Sequence, residues 1–267
     1  MHSDPTDRWV TCYKRNPAAK LRLFCFSYAG GGASVFRLWH GALSPDVEVC
    51  AVQLPGREHR FSEPPITRTS ELIPALGEAI APLLDRPFVL FGHSLGALNA
   101  FCLARWLRKR SDKGQVPRRL VVSARAAPHL PLRRPPVHAL PEARFIEELR
   151  YYDATPAAVL AVAELRALFL PVLRADFALF ESYTHEAEPP LDCPIVALAG
   201  RADHTVSEER IAAWHEHTTG PFTLHRIPGG HFFLNTSQAE LLRVLDQELQ
   251  QLGLALTAAP TRSARGA

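Results

Sequence analysis

The fold of this chain is decided by residues 88–96, which read FVLFGHSLG. The first four residues form an apolar run typical of a strand buried on both faces of a parallel sheet, and a helical pattern starts at residue 95. Between them stands G-x-S-x-G, whose glycines let neighbouring backbones approach a serine on a strained strand-to-helix turn. Such a turn would expose the Ser94 hydroxyl at the carboxyl edge of a sheet. Ser94 is therefore a candidate nucleophile; the alternative interpretation is an ordinary tight turn.

Apolar runs of this kind recur along the chain and alternate with helix-length segments. The strands are predicted at 21–27, 47–53, 88–92, 119–124, 195–199 and 222–227, and the helices near 69–84, 95–110, 207–218 and 237–252. This alternation predicts right-handed crossovers and a doubly wound, mostly parallel, twisted sheet flanked by helices. Together with the serine turn it indicates an α/β fold of the α/β-hydrolase type, in which ligands bind at the carboxyl ends of the strands.

A long interval between two of these strands breaks the alternation. Roughly 70 residues separate 119–124 from 195–199, far more than one crossover needs. The interval opens with a proline-rich loop and then carries apolar residues at helical spacing, such as Phe145 and Leu149. We expect a helical insertion at approximately 129–188 that covers the carboxyl edge of the sheet as a lid. The alternative is that these helices only pad the flank of the sheet.

Length and composition indicate one globular domain. The chain has 267 residues, of which 47% are apolar, and we expect a single domain over 1–267 with a loose tail over 257–267. Its 30 basic and 27 acidic residues give a net charge of +3, which is too mild to imply nucleic-acid binding.

Sequence features also bear on the cellular location. The N-terminal residues lack the basic cluster and apolar segment of a secretory signal, and no apolar run reaches the ~18–20 residues that span a bilayer. The five cysteines lie far apart without a C-x-x-C pair, as expected of buried thiols in a reducing compartment. We therefore expect a cytoplasmic protein without a membrane interaction.

A nucleophilic serine needs a base, and the base needs an orienting acid; in this fold they follow in the order Ser, acid, His. His231 follows the last predicted strand and precedes the last helix, whereas the other histidines come too early, on a helix or within a strand. Asp203 follows the strand at 195–199, and no carboxylate follows the preceding strand until Glu142. Asp203 and His231 are thus predicted to join Ser94. The alternatives are a turn or helix-capping aspartate and a loop-packing histidine.

Two backbone N–H groups should stabilise the oxyanion of such a site. One belongs to Leu95, directly after the serine, and the other to the glycine-rich loop at 28–33. That loop has neither of the glycine spacings that bind phosphate, so no nucleotide cofactor is expected. The motif H-E-x-x-H is absent, and His215 and His217 would face different sides of a helix, so no metal site is expected either.

Four motifs together resemble those of type II thioesterases, free-standing α/β-hydrolases that serve polyketide synthases and nonribosomal peptide synthetases. They are 26–31 (FSYAGG), 54–58 (LPGRE), 92–97 (GHSLGA) and 229–233 (GGHFF). The stretch 173–177 (LRADF) is also similar to that family. For LPGRE we expect a structural role before a catalytic one.

The resemblance implies a function and a set of site residues. It implies hydrolysis of aberrant or stalled acyl groups from the phosphopantetheine arm of acyl or peptidyl carrier proteins, with Ser94, Asp203 and His231 as the catalytic triad. It further implies Ala29 and Leu95 as the oxyanion donors. The sequence departs from the family at His204, where proline often follows the aspartate, and at Ala124, where glycine is usual before arginine.

Carrier proteins are commonly acidic, so a basic docking face is expected. Arg133 and Arg134 open the insertion on the side of the site, whereas the basic residues over 105–119 follow a helix that runs away from it. Two other functions stay open: an ester or lipid hydrolase of the same fold, and a non-catalytic binding protein that has kept the fold. The triad does not choose among acyl leaving groups.

Overall fold

A computed structural model describes residues 5–110, 115–153 and 160–258. Seven strands form one sheet: β1 (Val10–Thr11), β2 (Leu21–Phe26), β3 (Val47–Val52), β4 (Phe88–His93), β5 (Arg119–Ser123), β6 (Ile195–Gly200) and β7 (Phe222–Ile227). Their order is β1-β3-β2-β4-β5-β6-β7, and only β1 is antiparallel to its neighbour within the described sheet. The predicted α/β-hydrolase fold is therefore confirmed, with β1 as a strand that the sequence pattern did not indicate.

The apolar runs become strands because the sheet is covered on both faces. Every residue of β2, β3, β4 and β5 is buried, as is typical of inner parallel strands. In β7, at the edge, only Ile227 is buried. Continuous apolar runs thus mark the centre of the sheet, and a mixed pattern marks its edge.

Eight α-helices are described: α1 (Pro5–Trp9), α2 (Thr69–Ile80), α3 (Leu95–Arg110), α4 (Glu142–Tyr151), α5 (Ala163–Glu181), α6 (Glu208–Ala212), α7 (Phe233–Thr236) and α8 (Gln238–Ala258). The apolar sides of α2 and α3 pack on one face of the sheet. Side chains of α8 pack on the other face, together with Phe36 and Trp39 from two 3₁₀ turns. The sheet therefore forms the middle of three layers. The loops that follow the carboxyl ends of its strands carry the candidate site residues.

The long interval between β5 and β6 contains α4 and α5. These two helices share an apolar cluster that includes Phe145, Leu149 and Phe177, and Ala29 from the loop after β2 packs against it. The insertion therefore lies over the carboxyl edge of the sheet. Residues 154–159 of the predicted insertion lie outside the described residues, as do residues 259–267 of the predicted tail, whereas α8 continues to Ala258.

None of the helices in the described part of the chain is long and apolar enough to cross a membrane. All five cysteines are free thiols. Cys25, Cys50 and Cys193 are buried. The sulfur atom of Cys12, directly after β1, lies 3.0 Å from that of Cys50 in β3.

Candidate active site

The predicted serine turn joins β4 to α3. Ser94 has a φ of 55°, in the left-handed region that a non-glycine residue rarely adopts. Its N–H donates to the carbonyl of Ser123 at the end of β5 over 2.8 Å. A Cβ atom at Gly92 would lie 2.1 Å from the carbonyl oxygen of Gly96, and one at Gly96 would lie 2.1 Å from that of Phe26. Backbone contacts therefore require both glycines of the motif.

His231 and Asp203 lie beside this serine. The Nε2 atom of His231 is 3.0 Å from Ser94 Oγ, and its Nδ1 atom is 2.8 Å from Asp203 Oδ2. The Asp203 side chain is fully enclosed and that of His231 is 8% exposed. The structure thus brings together the three side chains that the sequence analysis selected, from the carboxyl ends of β4, β6 and β7. This arrangement can transfer a proton from a serine to an imidazole that a carboxylate orients.

Asp203 is held in its ionised form. Burial by itself raises the pKa of this carboxyl, but hydrogen bonds from His231 and Thr205, with the charge of the imidazole, lower the pKa below its ordinary value. Thr205 donates to Asp203 Oδ1 from both its N–H (2.8 Å) and its hydroxyl (2.6 Å). The same hydroxyl lies 2.9 Å from His231 Nδ1. Sequence reasoning missed Thr205; a threonine two residues after an aspartate in a turn is the only signal that could have indicated it.

A second histidine, His93, contacts the backbone of His231. His93, inside the serine turn, lies with Nε2 2.9 Å from the carbonyl oxygen of His231 and with Nδ1 2.9 Å from the hydroxyl of Ser123. Burial lowers the pKa of His93 to about 3, so its ring is neutral at physiological pH. The neutral ring donates from Nε2 to the His231 carbonyl and accepts from Ser123. His93 therefore fixes the backbone that carries His231.

The two predicted oxyanion donors face the same cavity as Ser94. Leu95 is the first residue of α3, and Ala29 lies in the loop after β2. Within the described ranges, neither of their N–H groups donates to another protein group. The next two N–H groups of the loop are occupied, because Gly30 donates to Asp176 Oδ2 over 2.7 Å and Gly31 to the Tyr28 carbonyl over 2.9 Å. Ala29 and Leu95 therefore remain free to bind a developing oxyanion.

A buried ion pair connects the insertion to this loop. Arg57, from the LPGRE motif, donates through Nη1 to Asp176 Oδ2 (2.6 Å) and through Nη2 to Oδ1 (2.7 Å), and Asp176 lies on α5. Arg57 Nη1 also lies 3.3 Å from the Gly31 carbonyl. The two side chains are 7% and 1% exposed. Arg57 and Asp176 thus hold the loop with Ala29 against α5, a structural role consistent with the expectation for LPGRE.

A cavity of about 510 Å³ opens from Ser94 and His231. Its walls come from the loop after β5, from α5 and the segment after it, and from the loops that carry Ala29 and Thr205. Among the described residues, no group of three or more histidine, cysteine or acidic side chains could hold a metal ion. His217 is buried whereas His215 is exposed, so these two histidines do face different sides.

The chain matches the family model described as a thioesterase domain over residues 21–249. It is 42% identical to the gramicidin S biosynthesis protein GrsT of Aneurinibacillus migulanus over 244 residues, which cover 91% of this chain and 94% of GrsT. The RedJ thioesterase from the prodiginine pathway of Streptomyces coelicolor is 41% identical, with a TM-score of 0.80 and coverage of 86% of this chain and 91% of RedJ. The type II thioesterase BorB from the borrelidin biosynthetic cluster is 38% identical, with a TM-score of 0.82 and coverage of 93% and 99%. The chain therefore belongs to the thioesterase domain family and, within it, to the type II thioesterases, and it is a thioester hydrolase.

Proposed function

We propose that this enzyme hydrolyses acyl thioesters through a serine ester, with Ser94 as nucleophile, His231 as base and Asp203 as the residue that orients His231. The observation that carries the proposal is the continuous hydrogen-bonded series from Ser94 Oγ through the imidazole to Asp203. His231 accepts the serine proton as the oxygen attacks the thioester carbonyl, and the N–H groups of Ala29 and Leu95 bind the oxyanion. The imidazolium then protonates the departing thiolate.

The second half of the reaction releases the acid. A water molecule gives a proton to His231 as its oxygen attacks the acyl-serine carbonyl. The tetrahedral intermediate then breaks its bond to Ser94 Oγ, which takes the proton back from His231, and the carboxylic acid is released. Asp203 stays ionised throughout and stabilises the imidazolium. The cavity lined by α5 and the loop after β5 encloses the acyl chain during both steps, so we propose that the insertion acts as the lid.

The substrates in this proposal are acyl groups on the phosphopantetheine arm of acyl or peptidyl carrier proteins of nonribosomal peptide and polyketide synthesis. Membership in the type II thioesterases and likeness to GrsT, RedJ and BorB support this assignment. We place the reaction in the cytoplasm, where thiols stay reduced, in keeping with the five free cysteines. The enzyme would thereby remove aberrant or stalled units.

For carrier docking we propose the rim of the cavity around Arg133. Arg133 is exposed, whereas Arg134 donates to Glu148 (2.7 Å) and covers the Tyr151 ring, so much of its charge is neutralised. Three basic residues of α3 also form ion pairs, because Glu188 binds Arg105, Arg108 and Lys109. These contacts favour Arg133 over both Arg134 and the far end of α3.

The decisive experiment compares the wild type with Ser94→Ala on an acyl-loaded carrier protein and on the matched oxygen ester. Wild type should cleave the thioester faster, and Ser94→Ala should lose hydrolysis of both while it keeps its melting temperature. Ser70→Ala, which changes an exposed serine on α2, is the matched control and should behave as wild type. Hydrolysis by Ser94→Ala at the wild-type rate would disprove the proposed nucleophile, and a preference for the oxygen ester would disprove the proposed substrate.

A further inference from the structure

The cavity contains an arginine, Arg125, that pairs with no carboxylate of the described residues. Arg125 lies two residues beyond β5, after Ala124, whose φ of 51° turns the chain at the end of the strand. Its side chain lines the same cavity as Ser94, and its guanidinium carbon lies 5.0 Å from the centre of the Phe180 ring on α5. Stacking of this kind leaves the N–H groups at the edge of the guanidinium free to donate.

No carboxylate of the described ranges pairs with Arg125, and its N–H groups have no hydrogen-bond acceptor there. The arginines that are buried in the described part of the chain differ in this respect, because each binds an acid, as Arg57 binds Asp176 and Arg119 binds Glu248. Arg125 is half-buried, and a charge without a counter-ion that lines a cavity is a candidate binding site for an anion. Burial lowers the pKa of Arg125 to about 10, which still leaves it protonated at neutral pH.

The neighbours of Arg125 cannot serve as its counter-ion. Burial raises the pKa of Cys102 to about 12 and also raises that of Tyr152, so both stay uncharged at neutral pH. Glu181 is the one carboxylate in the described lining, and it accepts from His138 Nδ1 (2.6 Å) and from the N–H of Val137 (2.8 Å). Arg210 adds a further positive charge to the same cavity. The interior therefore favours an incoming anion.

We propose that Arg125 binds a carboxylate carried by the acyl group, so that this thioesterase accepts acyl chains that end in a carboxylate. The inference rests on the proposed function, since it assumes that the acyl chain occupies this cavity. The phosphate of the pantetheine arm is the other anion of such a substrate, but it is attached to the surface of the carrier and belongs at the rim, where Arg133 is exposed. Arg125 lies inside, against Phe180, where the acyl chain is enclosed.

The test uses adipoyl and adipamoyl thioesters of N-acetylcysteamine, which differ only in a terminal carboxylate or neutral amide and carry no phosphate. Wild type should show a higher kcat/KM for the carboxylate. Arg125→Met should lower the ratio of the two kcat/KM values about 10- to 100-fold, as expected for loss of a charge-assisted hydrogen bond. Arg125→Lys should retain part of the preference. Arg37→Met, which removes an equal charge from an exposed position outside the lining of the cavity, is the matched control and should leave the ratio unchanged.

Three results would overturn the assignment of Arg125. An unchanged ratio in Arg125→Met would show that the guanidinium does not bind the carboxylate. An equal loss on both substrates, or a lower melting temperature with no retained preference in Arg125→Lys, would show a purely structural role. A loss confined to hexanoyl-phosphopantetheine, compared with hexanoyl-pantetheine, would place the phosphate at Arg125. Failure of wild type to cleave any thioester would instead disprove the proposed function.

Discussion

At the scale of single residues, the serine turn depends on two positions that must lack a side chain. Gly92→Ala and Gly96→Ala would each place a Cβ atom 2.1 Å from a backbone carbonyl oxygen that cannot move without distorting β2 or α3. We expect each change to lower the free energy of unfolding by more than about 4 kcal/mol. The free energy of unfolding is measured by urea titration monitored by circular dichroism.

The control for this prediction is Gly41→Ala. A Cβ atom built at Gly41 has no neighbour within 4 Å, so this change should alter the free energy of unfolding by less than about 1 kcal/mol. Stable, active Gly96→Ala protein would contradict the assignment of a backbone-limited turn.

The hydroxyl of Thr205 contacts two members of the proposed triad, Asp203 and His231. Thr205→Val removes its bonds to Asp203 Oδ1 and His231 Nδ1 while it preserves the shape of the side chain. Because a hydrogen bond to a charged group contributes about 1.5–3 kcal/mol, kcat should fall about 10-fold or more with little change in KM. Steady-state kinetics on a small acyl thioester measures this.

Thr205→Ser should restore most of the activity, since it returns the hydroxyl. Thr218→Val removes a comparable hydroxyl bond, to the Cys193 carbonyl (2.7 Å), away from the site. It should lower stability but leave kcat unchanged. A wild-type kcat for Thr205→Val would assign Thr205 a role in the turn alone.

The positions of Ser94, Asp203 and His231 could be predicted because each follows an apolar strand run. Parallel strands end at one edge of the sheet, so topology alone brings such residues together. Thr205 and His93 could not be predicted in the same way. Their contacts depend on the path of two turns, and the sequence pattern does not specify that path.

At the scale of elements, the pair of Arg57 and Asp176 couples the insertion to the loop that carries Ala29. Asp176→Asn keeps the size of the side chain but leaves a buried guanidinium without its counter-charge. Because breaking a buried pair costs about 3–5 kcal/mol, the melting temperature should fall. The kcat should fall as well, since the N–H of Gly30 loses a charged acceptor and the neighbouring Ala29 shifts.

The matched control is Arg144→Gln on α4. Arg144 pairs with Glu147 at 2.8 Å, but their side chains are 69% and 55% exposed, so the expected change is under about 1 kcal/mol. A destabilised Asp176→Asn enzyme with an unchanged kcat would restrict the ion pair to a structural role.

Elements with long, continuous patterns could be predicted, and short or composite ones could not. β1 pairs only Val10 and Thr11 with β3, too few residues to leave a periodic signal. The helix predicted over 207–218 divides into α6 and a 3₁₀ turn at Ala213–His217. In that turn Trp214 and His217 are both buried, and the three residues per turn of a 3₁₀ helix place them directly in line on one side.

At the scale of the whole molecule, the cavity results from two separate parts of the chain. The sheet edge contributes Ser94 and His231, and the insertion contributes Phe177 and Phe180. The length of the interval between β5 and β6 predicted an insertion over the carboxyl edge of the sheet, but not the contacts that place its helices there. That placement follows from one buried ion pair and one apolar cluster, whose partners are far apart in sequence.

The stability of the whole molecule should decline in acid because its ion pairs join distant segments. Burial by itself raises the pKa of Glu188, but hydrogen bonds from Arg105 and Lys109 lower the pKa to about 2. Hydrogen bonds from Arg60 and Arg8 likewise lower the pKa of Glu63 to about 2. A carboxyl whose pKa is lower in the folded chain than in the unfolded chain contributes its full stability above the unfolded pKa, here about 4.5, and loses it as the pH falls towards 2.

Titration of Glu63 and Glu188 should therefore change the urea midpoint of unfolding little between pH 7 and pH 5.5. The midpoint should then fall progressively from pH 5 to pH 2.5. Glu188→Gln removes one of the two contributions, so it should lower the midpoint at pH 7 and make the decline in acid shallower. Glu147→Gln, at an exposed pair on α4, should follow the wild-type profile. A Glu188→Gln profile parallel to that of wild type would mean that Glu188 has the same pKa in the folded and unfolded chain. The ion pairs with α3 would then contribute nothing to the acid sensitivity of the fold.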